Sequence, residues 1–202
     1  MENENRSYLE PFKDELVISN YTIYIDEDVQ EPDYYRLVCE ILRKASPDDS
    51  FTFIFSTNGG LESGMIALMS AMRSCPSLIH GILAGDAFSA GSALFLECDS
   101  FEVMPMSSMM IHTASYGIGG KHTDVSSYHK FNEDWIERFI DETYSDFLPK
   151  DRLDDVKNGR DVYIATDQVQ EYLVSMCERR IARQTENMSE QLELDLKEET
   201  IQ

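Results

Sequence analysis

Basic residues are scarce in this chain. Its 202 residues include 17 Lys and Arg against 38 Asp and Glu, a formal net charge of −21 at pH 7. Such a surface repels phosphates, and no basic patch interrupts it, so nucleic acid and anionic membrane are excluded as partners. Long apolar runs are also missing. None approaches the roughly 18 residues that a membrane-spanning helix needs. The opening stretch, MENENRSYLEPFKDEL, has no apolar core of the kind that directs secretion. The four cysteines, Cys39, Cys75, Cys98 and Cys177, contain no pair at zinc-ligand spacing. Free thiols in a reducing cytoplasm are therefore expected, with no metal and no cofactor. A Gly-rich phosphate loop ending in Gly-Lys-Ser/Thr is absent too, so any ATP dependence must come from a partner.

What is present is apolar and aromatic: 42% of residues, with 10 Phe, 10 Tyr and 10 Met. A chain of this length can bury about 70% of its unfolded surface around one core. Apolar alternation predicts a strand over 21–25 (YTIYI). Tyr34, Leu37, Val38, Ile41 and Leu42 predict one face of a helix over 33–44. FTFIF at 51–55 reads as a strand buried on both faces. A helix over 61–74, a strand over 77–84, a turn at Gly85 and a buried helix over 88–96 follow. Strands are expected at 101–104 and 109–112, then a Gly-rich loop over 113–122. Val125, Tyr128, Phe131, Trp135, Phe139, Ile140, Tyr144 and Phe147 mark a long helix capped by Thr123 or Asp124. A short helix over 151–158, a strand over 162–164 and a helix from Thr166 complete the pattern. Strand–helix alternation with short loops argues an α/β architecture with a covered, partly parallel sheet. In 181–202, Arg183 and Lys197 stand against six acids, which suggests a helix extension fraying into an acidic tail.

Four histidines are available for chemistry: His80, His112, His122 and His129. His80 lies within a strand and reads as a core or edge residue. His122 and His129 lie in polar surroundings and read as solvated. His112 alone ends an apolar strand and opens a Gly-rich loop, where reactive side chains are commonly displayed. Ser89 sits between a strand and a helix of small residues, where free backbone N–H groups favour developing negative charge. A serine nucleophile needs that, together with an imidazole to take its proton and a carboxylate to orient the imidazole. Taken alone, Ser-Ala-Gly after a strand is more often an ordinary helix cap than a nucleophile. Gly59-Gly60 allows close backbone approach to a ligand, and is equally an ordinary turn.

Together, FIFSTNGG, GDAFSAG, MMIHT and GRDVYIATDQVQEYL resemble the Clp-type proteolytic subunits, the ClpP-like serine peptidases of crotonase-like fold. The four motifs occur in that family's order and at similar spacing, over residues 21–173. The resemblance implies an α/β fold, a repeated β-β-α spiral with a protruding handle strand and helix. It implies Ser89 as nucleophile, His112 as general base and Asp161 as the orienting acid. The backbone N–H groups of Gly59 and Ala90 would form the oxyanion hole. It divides the chain into an N-terminal arm (1–18), a peptidase domain (19–180) containing the handle (113–148), and the acidic tail (181–202). It further implies a self-compartmentalised homo-oligomer of one ring or two stacked rings, peptide substrates, and a AAA+ unfoldase as partner. Ser56-Thr-Asn-Gly-Gly60 stands where the family has Ser-Pro-Gly-Gly, and Ala90 where Met is frequent. Such departures mark a divergent branch. They leave open a weakly active or inactive scaffold, a maturation protease for virus head proteins, and acyl-CoA chemistry on the same scaffold.

Overall fold

A computed structural model describes residues 18–200 of the chain. The fold is mixed α/β, with twelve elements among the described residues: β1 (Asn20–Ile25), α1 (Arg36–Arg43), β2 (Ser50–Thr57), α2 (Glu62–Arg73), β3 (Ile79–Phe88), α3 (Ala90–Leu96), β4 (Ser100–Val103), β5 (Ser108–Ile111), α4 (His122–Tyr144), α5 (Lys150–Lys157), β6 (Val162–Ala165) and α6 (Thr166–Thr200). The expected N-terminal arm falls almost wholly on residues 1–17, which lie outside the described residues. α6 stays helical from Thr166 to Thr200, through most of the expected tail. None of the described helices is long and apolar enough to cross a membrane.

One six-stranded sheet organises the molecule, in the order β1-β2-β3-β5-β6, with β4 also paired to β3. Every pairing is parallel except β5 with β6. β3 is the longest strand and shares one edge between two partners. His80 to Leu83 pair with β4, and Asp86 to Phe88 pair with β5. Phe51, Phe53 and Phe55 of β2 are fully buried, whereas Thr52 and Ile54 between them are half-buried. β2 therefore has one fully covered face, not two. The Phe95 ring of α3 meets Phe55 and Phe101 edge-on at 5.4 and 5.2 Å, fastening α3 to the sheet. All seven α3 residues are buried. The Arg180 guanidinium of α6 donates to the Leu96 carbonyl at 3.0 Å, satisfying one free acceptor at the end of α3.

Several elements depart from the sequence expectation. α1 buries Tyr35, Cys39 and Leu42, spaced i, i+4, i+7, while Tyr34 is exposed and Leu37 is 72% exposed. The apolar pattern is wide enough to offer two overlapping stripes, and the fold buries Tyr35, Cys39 and Leu42, with Val38 and Ile41 packed at its margin. Gly85 does not open a turn. β3 runs through it to Phe88, and the register shifts from Phe55↔Leu83 to Thr57↔Ala87, a bulge that accommodates extra β3 residues. A Cβ at Gly85 would stand 2.5 Å from Ser56 Oγ. The Oγ is the free end of an exposed side chain and can swing away, and the Ser56 Cβ at 3.2 Å needs to give by only a few tenths of an ångström. Gly85→Ala is expected to change unfolding free energy in denaturant by less than about 1 kcal/mol. α4 begins at His122, with Lys121 at its cap and no side-chain cap, so Thr123 and Asp124 lie in its first turn. Its N-terminal half is largely exposed, Tyr128 and Phe131 included. Only the last turns bury Ile140, Thr143 and Tyr144.

Candidate active site

The end of β3 sets the geometry. Ser89 follows Phe88 and precedes α3, with φ 53° and ψ −121°. This is neither strand nor helix. A non-glycine residue held there costs about 1–3 kcal/mol, which the surroundings must offset. The Ser89 N–H donates to the Met110 carbonyl of β5 at 2.8 Å, and its carbonyl accepts from the Ser92 N–H at 3.0 Å. The residue is thus stretched between a strand and a helix, leaving its side chain displayed at the bend.

His112 is the first residue after β5, and its Nε2 lies 2.7 Å from Ser89 Oγ. β5 and β6 are antiparallel with Ile111 opposite Val162. One step further along that ladder puts Asp161 opposite His112, although 49 positions separate them in sequence (161 − 112). His112 Nδ1 lies 3.8 Å from Asp161 Oδ1, beyond direct hydrogen-bonding distance. The Asp161 side chain is 53% exposed. Its neighbour Asp155 is held by Arg160 at 2.8 Å instead. Ser89, His112 and Asp161 therefore come together in the expected order, closely at the first contact and loosely at the second.

The glycine pair behaves differently from expectation. The Gly59 N–H donates to Thr57 Oγ1 at 3.1 Å, so it is not free to meet a substrate. The parallel bridge between Val29 and Gly60 uses the Gly59 carbonyl and the Leu61 N–H. The Gly60 N–H is left without a partner among the described residues, and it is Gly60, not Gly59, that lines the cavity at Ser89. Gly59 has another task. Its φ is +95°, and an added Cβ would lie 2.5 Å from the Phe88 carbonyl, 2.7 Å from Ser89 Cβ and 3.0 Å from the Ala90 nitrogen. It supports the bend from below. Ala90, first in α3, lines the same cavity, and its N–H has no partner among the described residues.

That cavity holds about 450 Å³. Leu61, Met65, Ile136, Phe139 and Ile140 make it apolar, and Trp135 stacks on Phe139 at 5.3 Å along one wall. Glu62 is the carboxylate on its lining, and burial raises that carboxyl above its ordinary range. The other histidines stand apart. His80 Nδ1 meets Ser100 Oγ at 2.8 Å on the sheet. The exposed His129 meets the Tyr116 hydroxyl at 2.6 Å, tying the Gly-rich segment to α4.

A family model described as Clp protease matches residues 12–172. The chain belongs to the Clp protease family. Among curated proteins, none matches it. The match spans the strained serine, the histidine after β5 and the aspartate before β6, so the site lies inside the shared domain of a Clp-type proteolytic subunit. The structure brings together the three side chains named from the sequence and turns Gly60 rather than Gly59 to the cavity, a choice the sequence leaves open because either glycine of the pair can turn its N–H outward. The aromatic wall is not legible in the sequence either. The helical spacing of Trp135 and Phe139 does not indicate that they border the cavity at Ser89.

Proposed function

We propose that the chain is a serine endopeptidase of the ClpP type, acting on peptides or unfolded protein. The observation that carries this reading is the 2.7 Å contact of Ser89 Oγ with His112 Nε2 at a strained bend facing an apolar cavity. With its proton on Nδ1, neutral His112 accepts the Ser89 proton as Oγ attacks the scissile carbonyl. The resulting oxyanion is met by the N–H groups of Ala90 and Gly60, the latter taking the role expected of Gly59. His112 then returns the proton to the departing amine, and water hydrolyses the ester on Ser89 by the same route in reverse. Asp161 orients His112 and stabilises its charged form. The apolar walls favour bulky apolar side chains next to the cleaved bond, and Glu62 disfavours acidic ones. This chemistry calls for no metal and no cofactor.

The loop and helix over 113–148 act as the family's handle on a repeated β-β-α spiral, flanked by an N-terminal arm (1–18) and an acidic tail (181–202). The chain assembles into a ring, or two stacked rings, in the cytoplasm, and a AAA+ unfoldase delivers substrate. The decisive experiment measures peptide hydrolysis by the assembled chain alongside fluorophosphonate labelling mapped by mass spectrometry. Label on Ser89 with parallel loss of hydrolysis is the expected result. Hydrolysis that persists without label on Ser89 overturns it.

The 3.8 Å gap at an exposed Asp161 favours one second reading, a weakly active or inactive scaffold. The two readings separate at Asp161→Asn. If assembly closes the gap, kcat falls by about 10²–10⁴-fold, since an asparagine favours the wrong imidazole tautomer. If the gap persists in the working particle, the change is less than about 3-fold, the size of effect expected of an exposed pair.

A further inference from the structure

We infer that Ser92 and Tyr144 are positioning residues that aim the Ala90 N–H into the cavity, an inference that rests on the peptidase reading above. Ser92 lies one turn into α3 and is fully buried, and Tyr144 closes α4 and is 3% exposed. Ser92 Oγ donates to the Ser89 carbonyl at 2.6 Å. A hydroxyl has one proton, and Ser92 spends it on an acceptor that cannot donate in return. The Tyr144 hydroxyl, 3.0 Å from Ser92 Oγ, is therefore the donor of the second bond. The chain of donation runs Tyr144 to Ser92 to the Ser89 carbonyl. Burial raises the Tyr144 phenol to about 12, so it keeps its proton at working pH.

The consequence follows from peptide planarity. The Ser89 carbonyl and the Ala90 N–H belong to one planar trans unit and point in opposite directions. Fixing the carbonyl fixes the amide. Because Ser89 sits at φ 53°, its peptide has no regular ladder to hold it, and the Ser92 hydroxyl supplements the Ser92 N–H in that task. The same contact joins the last turn of α4 to the reactive bend, since Tyr144 also packs edge-on against Phe139 at 6.2 Å. Ser92 is not among the residues that line the cavity; Tyr144 is, and Tyr144→Phe keeps its ring there. Their effect is on how well one N–H meets charge that develops only in the transition state.

The test uses the full-length assembled chain and a chromogenic peptide. Ser92→Ala is expected to lower kcat about 10-fold with KM unchanged, a fraction of the 10²–10³-fold cost of removing an oxyanion donor outright. Tyr144→Phe, which keeps the buried ring, is expected to lower kcat about 3-fold. The double variant should equal Ser92→Ala alone, because the two act in series. Fluorophosphonate labelling of Ser89 should slow in step with kcat. Wild-type kcat in both variants, or losses that appear in KM, would overturn the inference. If Ser92→Ala does not fold, Tyr144→Phe and its labelling rate decide alone. Ser89→Ala, run beside them, separates the two levels: an inactive Ser89→Ala with fully active Ser92→Ala and Tyr144→Phe removes only this inference, whereas an active Ser89→Ala removes the peptidase reading itself.

Discussion

Ser89→Ala is expected to lower peptide hydrolysis by about 10³–10⁶-fold while leaving the fold in place. Alanine keeps the Cβ, and the strained φ of 53° is no worse for alanine than for serine. The lost Oγ touches His112, which keeps its place 3.8 Å from Asp161. Unfolding in denaturant should therefore shift by less than about 1 kcal/mol. Oligomer size, measured by light scattering, should not change. Adding His112→Ala to this variant should cost little more, because nucleophile and base act as a unit. A wild-type rate already as low as that of Ser89→Ala would instead support the scaffold reading.

The expected loss is large because two features converge on one oxygen. The base is in contact with it, and in the proposed reaction the unpartnered N–H groups of Ala90 and Gly60 would meet the oxyanion. A serine without the base keeps its proton, and a base without the amides drives attack toward an uncompensated charge. Variants at Asp161, Ser92 or Tyr144 adjust orientation and leave this pairing intact, so their expected effects are smaller.

Much of the architecture could be read from periodicity alone. FTFIF at 51–55 and the stripe that starts at Val125 are so strongly patterned that element type is evident: the strand forms, and the helix forms but ends at Tyr144, leaving Phe147 in the turn beyond it. The face that each element buries was harder to read. α1 offers two apolar stripes, and only packing in the folded chain chooses Cys39 and Leu42 over Leu37. The stripe of α4 is apolar along its length, yet its first half is largely exposed. Periodicity reports that a face wants burial and is silent on what covers it. Gly85 misled for a related reason. A glycine after a strand suggests a turn, but here it relieves a close approach by Ser56 across a bulge.

The site divides along the same line. Ser89, His112 and Asp161 lie on three distant stretches, and their local signals were weak. Resemblance to the Clp-type subunits drew them together, and the β5–β6 register supplies the physical reason, because a ladder that pairs Ile111 with Val162 brings the next two residues face to face. The backbone groups were not legible. A single bond from Gly59 to Thr57 Oγ1 decides which glycine offers its N–H, and no sequence pattern encodes it. Ser92 and Tyr144 are 52 positions apart, and their contact depends on how the end of α4 settles over α3.

Gly59→Ala is the structural counterpart of the Ser89 experiment and should damage both stability and activity. A side chain at φ +95° carries a backbone cost of about 1–3 kcal/mol before any contact is considered. The new Cβ would also lie 2.5 Å from the Phe88 carbonyl and 2.7 Å from Ser89 Cβ. Neither neighbour is a free side-chain end. Moving Phe88 disturbs β3 at its pairing with Met110, and moving Ser89 displaces the proposed nucleophile. Total destabilisation of about 3 kcal/mol or more is expected in denaturant unfolding, combining backbone strain with overpacking. Fluorophosphonate labelling should slow by about 10²-fold or more in whatever fraction stays folded, as expected when a reacting atom moves by about 1 Å. Gly85→Ala provides the internal standard, since its added methyl meets a side chain that can rotate away. Equal, near-neutral behaviour of the two variants would mean that the bend tolerates displacement, and the role of Gly59 as its support would be lost.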